Sequence, residues 1–177
     1  NAPVTSPADM NGTKLRVPPG AIFVSLFQAL GASPTTISFN ELYPALQTKV
    51  VDGQENPLAL ILTGKLNEVQ KYVSLTGHMW AGYWFLANRR AWEALPVTVR
   101  DVVTRVVNES ARSQRAELAR LEASYQQELI AKGMLVNTVD KNAFRARLSE
   151  AGYYRDWQSK YGDEAWALLE KFAGRLA

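Results

Sequence analysis

The chain has no cysteine and a single histidine, His78, among its 177 residues. Without cysteine there are no disulfides, no thiolate catalysis and no cysteine-ligated metal. With one histidine there is no imidazole cluster for zinc. A Ser–His–Asp triad would have to use His78, and no nucleophile-elbow pattern lies near it. Glycine-rich phosphate loops are missing as well, since Gly31-Ala32-Ser33-Pro34 lacks the spacing. No apolar run approaches the roughly 18 residues of a membrane span. The 20 Lys and Arg are scattered among 17 Asp and Glu, so no basic stripe exists to track nucleic acid. The amino end lacks the charged-then-apolar pattern of a signal peptide. These absences predict no catalytic residues, no metal, no cofactor and no nucleic-acid partner.

What is present is an alternation of strands and helices. Lys14 to Val17 suits a strand, stopped by Pro18-Pro19-Gly20. Ala21 to Leu30 is helical in pattern and ends at Gly31, a natural residue just beyond a helix. Thr35 to Ile37 suits a second strand, and Ser38-Phe39-Asn40-Glu41 has the spacing of a capping box opening a helix to Thr48. Val50-Val51 begins a third strand running into Gln54-Glu55. Asn56-Pro57 reads as N-cap and first helical residue of a helix to Val69. Tyr72 to Leu75 and Met79 to Ala87 suit further strands around Gly77-His78. The order implies an α/β fold with a largely parallel sheet.

The second half reads differently. Neither Gly nor Pro interrupts Val97 to Lys132, and apolar residues step along one face from Val99 to Leu129. At 1.5 Å per residue that helix is roughly 50 Å long, more than one small core needs, which suggests that it spans two lobes. Met134 to Val139 reads as a strand, Asp140 as the cap of a helix to Tyr161, and Asp163 as the cap of a last amphipathic helix.

Polar groups at the predicted strand ends are the functional candidates, because open α/β sheets bind ligands beyond the carboxyl ends of their strands. Arg16 offers the planar fork that matches a carboxylate bidentately, or it serves a surface or interlobe salt bridge. Asn56, at a helix start, can donate an amide to an anion or act as a plain cap. Phe39 either packs on a ligand or joins the core. Glu55 either balances Arg16 or sits solvated. A lone histidine is usually structural. Trp80, Tyr83 and Trp84 form an aromatic group of the kind that usually packs a core, although one of them lining a pocket would favour a bulky acid.

Several blocks together resemble the TRAP-transporter solute-binding proteins of the DctP type. They are Lys14-Leu15-Arg16-Val17-Pro18, Gly31-Ala32-Ser33-Pro34-Thr35, Phe39 to Thr48, Val51-Asp52-Gly53-Gln54-Glu55-Asn56-Pro57-Leu58, Glu68 to Tyr72, and Leu95-Pro96. The resemblance covers roughly the carboxyl-terminal three-fifths of such a protein. It implies a periplasmic-binding-protein-like two-lobed clamp of the class II type, present here as a partial chain with a long helix spanning both lobes. Residues 1–81 and 122–177 would belong mainly to lobe II and 82–121 to lobe I, with the amino-terminal part of lobe I outside this chain. It further implies an exported, periplasmic protein, monomeric at full length, that captures a small organic acid and hands it to membrane permease subunits. By the same resemblance Arg16 forms a salt bridge with the substrate carboxylate, Asn56 hydrogen-bonds to it and Phe39 packs on the ligand. His78 borders the cleft and holds ordered water. From the aromatic group, and not from the resemblance, Trp80 is taken as the expected ligand-binding residue. The rival reading is a non-transport interaction module that uses the long helix as a partner surface.

Overall fold

The computed structural model describes residues 2–80 and 82–176. A short 3-10 turn, Pro7–Met10, precedes strand β1 (Lys14–Val17). Helix α1 (Ala21–Ala29), strand β2 (Ser33–Thr36), helix α2 (Phe39–Gln47), strand β3 (Gly53–Gln54) and helix α3 (Leu58–Thr63) follow. Then come β4 (Tyr72–Leu75), α4 (Arg89–Glu93), α5 (Val97–Ala131) and β5 (Leu135–Thr138). Helices α6 (Lys141–Glu150), α7 (Tyr153–Tyr161) and α8 (Asp163–Ala173) complete the chain.

Strands β2, β1 and β3 form one parallel sheet in that order, with Arg16 opposite Thr35 on one side and Gln54 on the other. Strands β4 and β5 form a second parallel pair. Side chains alternate along β1, so Leu15 and Val17 share one face and Arg16 takes the other. Leu15 and Val17 enter a core with Leu26 and Phe27 of α1, Phe144 and Leu148 of α6, Tyr153 and Trp157 of α7 and Trp166 of α8. A second core gathers Leu42, Leu46, Ile61, Val73, Leu129 and Met134 under α2, α3 and the β4–β5 pair. A triangle of hydrogen bonds joins the amino-terminal segment to both strands of that pair. Val4 N donates to Ser74 Oγ at 3.0 Å, Ser74 Oγ to Asn137 Oδ1 at 2.9 Å, and Asn137 Nδ2 to Val4 O at 2.8 Å.

Several expectations need correction. Ser38 is the N-cap of α2 but makes no side-chain capping bond, so the capping box is not formed. Pro57, not Asn56, is the N-cap of α3, and the helix stops at Thr63. Lys65 then adopts a left-handed φ of 54° before a 3-10 turn, Leu66–Glu68. The third strand is only Gly53–Gln54. Asp140 does cap α6, accepting from Asn142 N at 2.9 Å, but the helix breaks at Gly152 (φ 76°) instead of running on to Tyr161. Gly162, not Asp163, is the N-cap of α8.

The expected strand from Met79 to Ala87 has no ladder among its described residues, and Trp80, Tyr83, Trp84, Phe85 and Leu86 are all at least 80% exposed. A strand needs a neighbour to pair with, and among the described residues none pairs with this segment. The expected segment boundary at Ala81 lies outside the described residues. The long helix is one unbroken element, yet Leu129 is the one residue described as buried in it and residues 108–120 are all exposed.

Candidate carboxylate site

Arg16 is the only buried charged residue among the described residues, at 2% exposure. It sits on the central strand of its sheet, one residue from the carboxyl end. Its Nε donates to Ile37 O at 2.8 Å, in the turn between β2 and α2. Among the described residues no acceptor takes a hydrogen bond from the two terminal nitrogens. Burial pulls the guanidinium below its ordinary value and the negative charge of Glu55 opposes that pull. Taking a guanidinium out of water costs several kcal/mol unless an anion and hydrogen bonds compensate. One fixed edge and one open fork is the arrangement that accepts a planar carboxylate.

The neighbouring polar groups come from two other strand ends. Glu55 follows β3, and its Oε2 lies 3.3 Å from His78 Nε2 beyond β4. His78 Nδ1 is 2.7 Å from Thr76 Oγ1, and the ring meets Phe27 edge-on with centroids 5.2 Å apart. The imidazole is therefore held on three sides, and its contact with Glu55 brings the carboxyl ends of both sheets to a common rim. The Asn56 amide donates to Gln54 Oε1, which orients it along the end of β3 and leaves its oxygen without a protein donor among the described residues.

Of the expected site residues, the fold gathers Arg16, Glu55 and His78 directly and sets Asn56 beside Glu55. Phe39 is the first residue of α2, two positions after the Ile37 carbonyl, and is 38% exposed. Its ring tip closes on Gly64, where a Cβ would come within 3.0 Å of Phe39 Cζ. Trp80 stands two residues beyond His78 and is 80% exposed. Sequence reasoning missed Ile37 O and Gln54. The strand register supplies both, because Gln54 pairs with Arg16 and Ile37 lies two residues past its other partner, Thr35. Two further concavities lie away from Arg16. One, of about 240 Å³, is lined by Ser25, Gln28, Tyr153, Asp156, Trp157 and Lys160, and the other, of about 380 Å³, by Asn67 to Lys71 and Gly133.

The pattern of the DctP family, described as bacterial extracellular solute-binding protein, family 7, matches residues 1–158. The chain belongs to the DctP family. It is 37% identical over 139 residues to the C4-dicarboxylate-binding periplasmic protein DctP of Vibrio cholerae, covering 78% of this chain and 42% of that one. A solved TRAP periplasmic solute-binding protein from Roseobacter denitrificans, holding L-galactonate, superposes with a TM-score of 0.81 at 39% identity, covering 85% of this chain and 50% of that one. Another, from a Polaromonas species and bound to D-erythronate, superposes with a TM-score of 0.89 at 31% identity, covering 96% and 56%. The DctP-family chain thus spans about half the length of the relatives it matches. Those relatives are solute-binding proteins, not enzymes, and the structure is the α/β fold with parallel sheets seen in part of such two-lobed proteins.

Proposed function

We propose that this chain is the carboxylate-anchoring part of a periplasmic solute-binding protein of a TRAP transporter. It would capture a small organic acid through Arg16 and deliver it to membrane permease subunits. The observation that carries the reading is the buried Arg16 guanidinium, fixed through Nε to Ile37 O with its terminal fork free of acceptors among the described residues. In this reading the acid's carboxylate takes the fork bidentately and Asn56 contributes a further polar contact. Phe39 covers one side of the ligand, and His78 holds a water at the rim. Trp80 reaches the ligand only if residues 79–87 fold back toward the cleft.

The same reading assigns residues 1–81 and 122–177 to the anchoring lobe and 82–121 to the opposite lobe. The long bare stretch of α5 supports that division, since a helix exposed over residues 108–120 has no packing partner in the described chain. The acids held by similar structures, L-galactonate and D-erythronate, support a small hydroxylated acid as ligand, and the C4-dicarboxylate-binding relative supports a dicarboxylic one.

Calorimetric or NMR titration with such acids tests the anchor. Arg16→Ala should weaken binding by about 2–5 kcal/mol, the usual cost of removing one partner of a desolvated charge pair. Arg16→Lys should also lose most of the affinity, because it keeps the charge and loses the fork. Binding within a few-fold of wild type in both variants would remove Arg16 from the role.

A further inference from the structure

We propose that Lys141 is a second cationic contact for the bound acid and biases the site toward dicarboxylates; this rests on Arg16 anchoring one carboxylate. Lys141 is the first residue of α6, just past the carboxyl end of β5. Strand β5 is the parallel neighbour of β4, whose own exit carries Thr76-Gly77-His78. The Lys141 side chain lies against Gly77, where a Cβ would come within 2.8 Å of Nζ and 3.1 Å of Cε. Gly77 has a φ of +55°, so glycine serves twice there, relieving the backbone and leaving room for the ammonium.

Two observations place this cation at the carboxyl ends of the strands, and two more leave it unpaired there. All five strands run parallel within their sheets, and ligands lie beyond the carboxyl ends of such strands. The contact of His78 with Glu55 makes the ends of β3 and β4 one rim, and Lys141 rests on the residue before His78. Among the described residues Nζ has neither a carboxylate partner nor a hydrogen-bond acceptor, although Asp140 is its chain neighbour. Asp140 instead turns its Oδ1 to Asn142 N, capping the helix. The strand ends then carry two positive charges, Arg16 buried and Lys141 exposed, with Glu55 the carboxylate between them in the chain's fold and His78 beside it. An acid with a second carboxylate finds a free cation there. A monocarboxylic acid of the same length does not need it.

Succinate and D-erythronate are a matched pair of four-carbon acids, one with two carboxylates and one with a single carboxylate and hydroxyls. Titration of the 177-residue chain with each, followed through backbone amide shifts near Ile37 and Gly77, separates the two roles. Lys141→Gln should weaken succinate about tenfold and D-erythronate less than about threefold, while Lys141→Arg keeps succinate within about threefold of wild type. Added salt should shrink the succinate advantage of the wild type, because the cation is at an exposed rim. Arg16→Lys should lose both acids. Equal losses for both acids in Lys141→Gln, or none for succinate, would overturn the role of Lys141 while leaving Arg16 in place. If Arg16→Lys binds both acids as wild type does, or if the wild type binds neither at high millimolar concentration, the anchor falls and this inference with it.

Discussion

At the scale of single residues, two charged groups far apart in burial show how the chain uses hydrogen bonds. Arg16 is buried with one of its five N–H donors committed and the other four open among the described residues, which is costly in isolation and useful only to an anion. Asp9 is exposed, yet its carboxylate is held at about 2 against an ordinary 3.8, first by the Thr5 hydroxyl and then by the N–H groups of Thr5 and Ser6. The folded value is the lower one, so the stabilisation is complete above about pH 4 and is lost as the pH falls through about 2. Asp9→Asn should therefore lower Tm near neutral pH, with the gap to wild type closing at about pH 2 in a thermal melt series. A constant gap across the series would mean that Asp9 acts through packing. The residues alone marked Arg16 as a strand-end cation with a salt bridge as the competing use, and only the resemblance favoured a carboxylate anchor; its burial is what the structure adds. What holds it was not legible in the sequence, since Ile37 O and Gln54 come from strand register, and register is a tertiary property.

At the scale of elements, strands bounded by Pro and Gly were read closely, and β1 and β4 have the expected limits. The misreadings fall where two local signals compete. Gly152 lies inside an otherwise helical pattern, and the left-handed φ of 76° there turns one expected helix into α6 and α7. The turn lets Phe144 and Leu148 face the same core as Tyr153 and Trp157. Trp157 Nε1 is also fixed to Ser25 Oγ of α1 at 2.9 Å. Gly152→Ala has room for its Cβ, with the nearest atom 3.6 Å away, so its cost is conformational. We expect about 1–2 kcal/mol of destabilisation, seen as a lower urea midpoint with an unchanged m-value. An unaltered midpoint would show that the α6–α7 corner tolerates a relaxed backbone. The segment after β4 failed as a strand for a different reason. Its apolar residues have strand character, but pairing needs a second strand, and composition alone does not supply one. Amide exchange across 82–87 should be fast and across β4 slow; protection of 82–87 would mean that the segment is paired in solution.

At the scale of the whole molecule, the two cores both lie under the strands that carry the site, while the other end of α5 stands clear of them. The valines at 97, 99, 102 and 106 and the aromatic run near Trp84 are exposed large apolar side chains, of the kind that promote association when they cluster. A high-affinity small-molecule site typically buries 70–90% of its ligand, and the described residues offer one wall. Residues 1–177 alone should consequently bind organic acids no tighter than the millimolar range and self-associate as concentration rises. Micromolar binding by a monomeric chain in sedimentation and titration would contradict the division into lobes. The fold class was legible from the strand–helix alternation, and the length of α5 pointed beyond one core. How α5 is covered was not legible, because that depends on surfaces other than its own.

The central claim is that the open fork of Arg16 holds the carboxylate of the ligand. A crystal structure of the chain soaked with D-erythronate addresses it most directly. The account predicts both carboxylate oxygens within about 3 Å of the two terminal nitrogens of Arg16, with Nε still bonded to Ile37 O. Density for the acid elsewhere, with the Arg16 fork closed on Glu55 or another protein carboxylate, would contradict it.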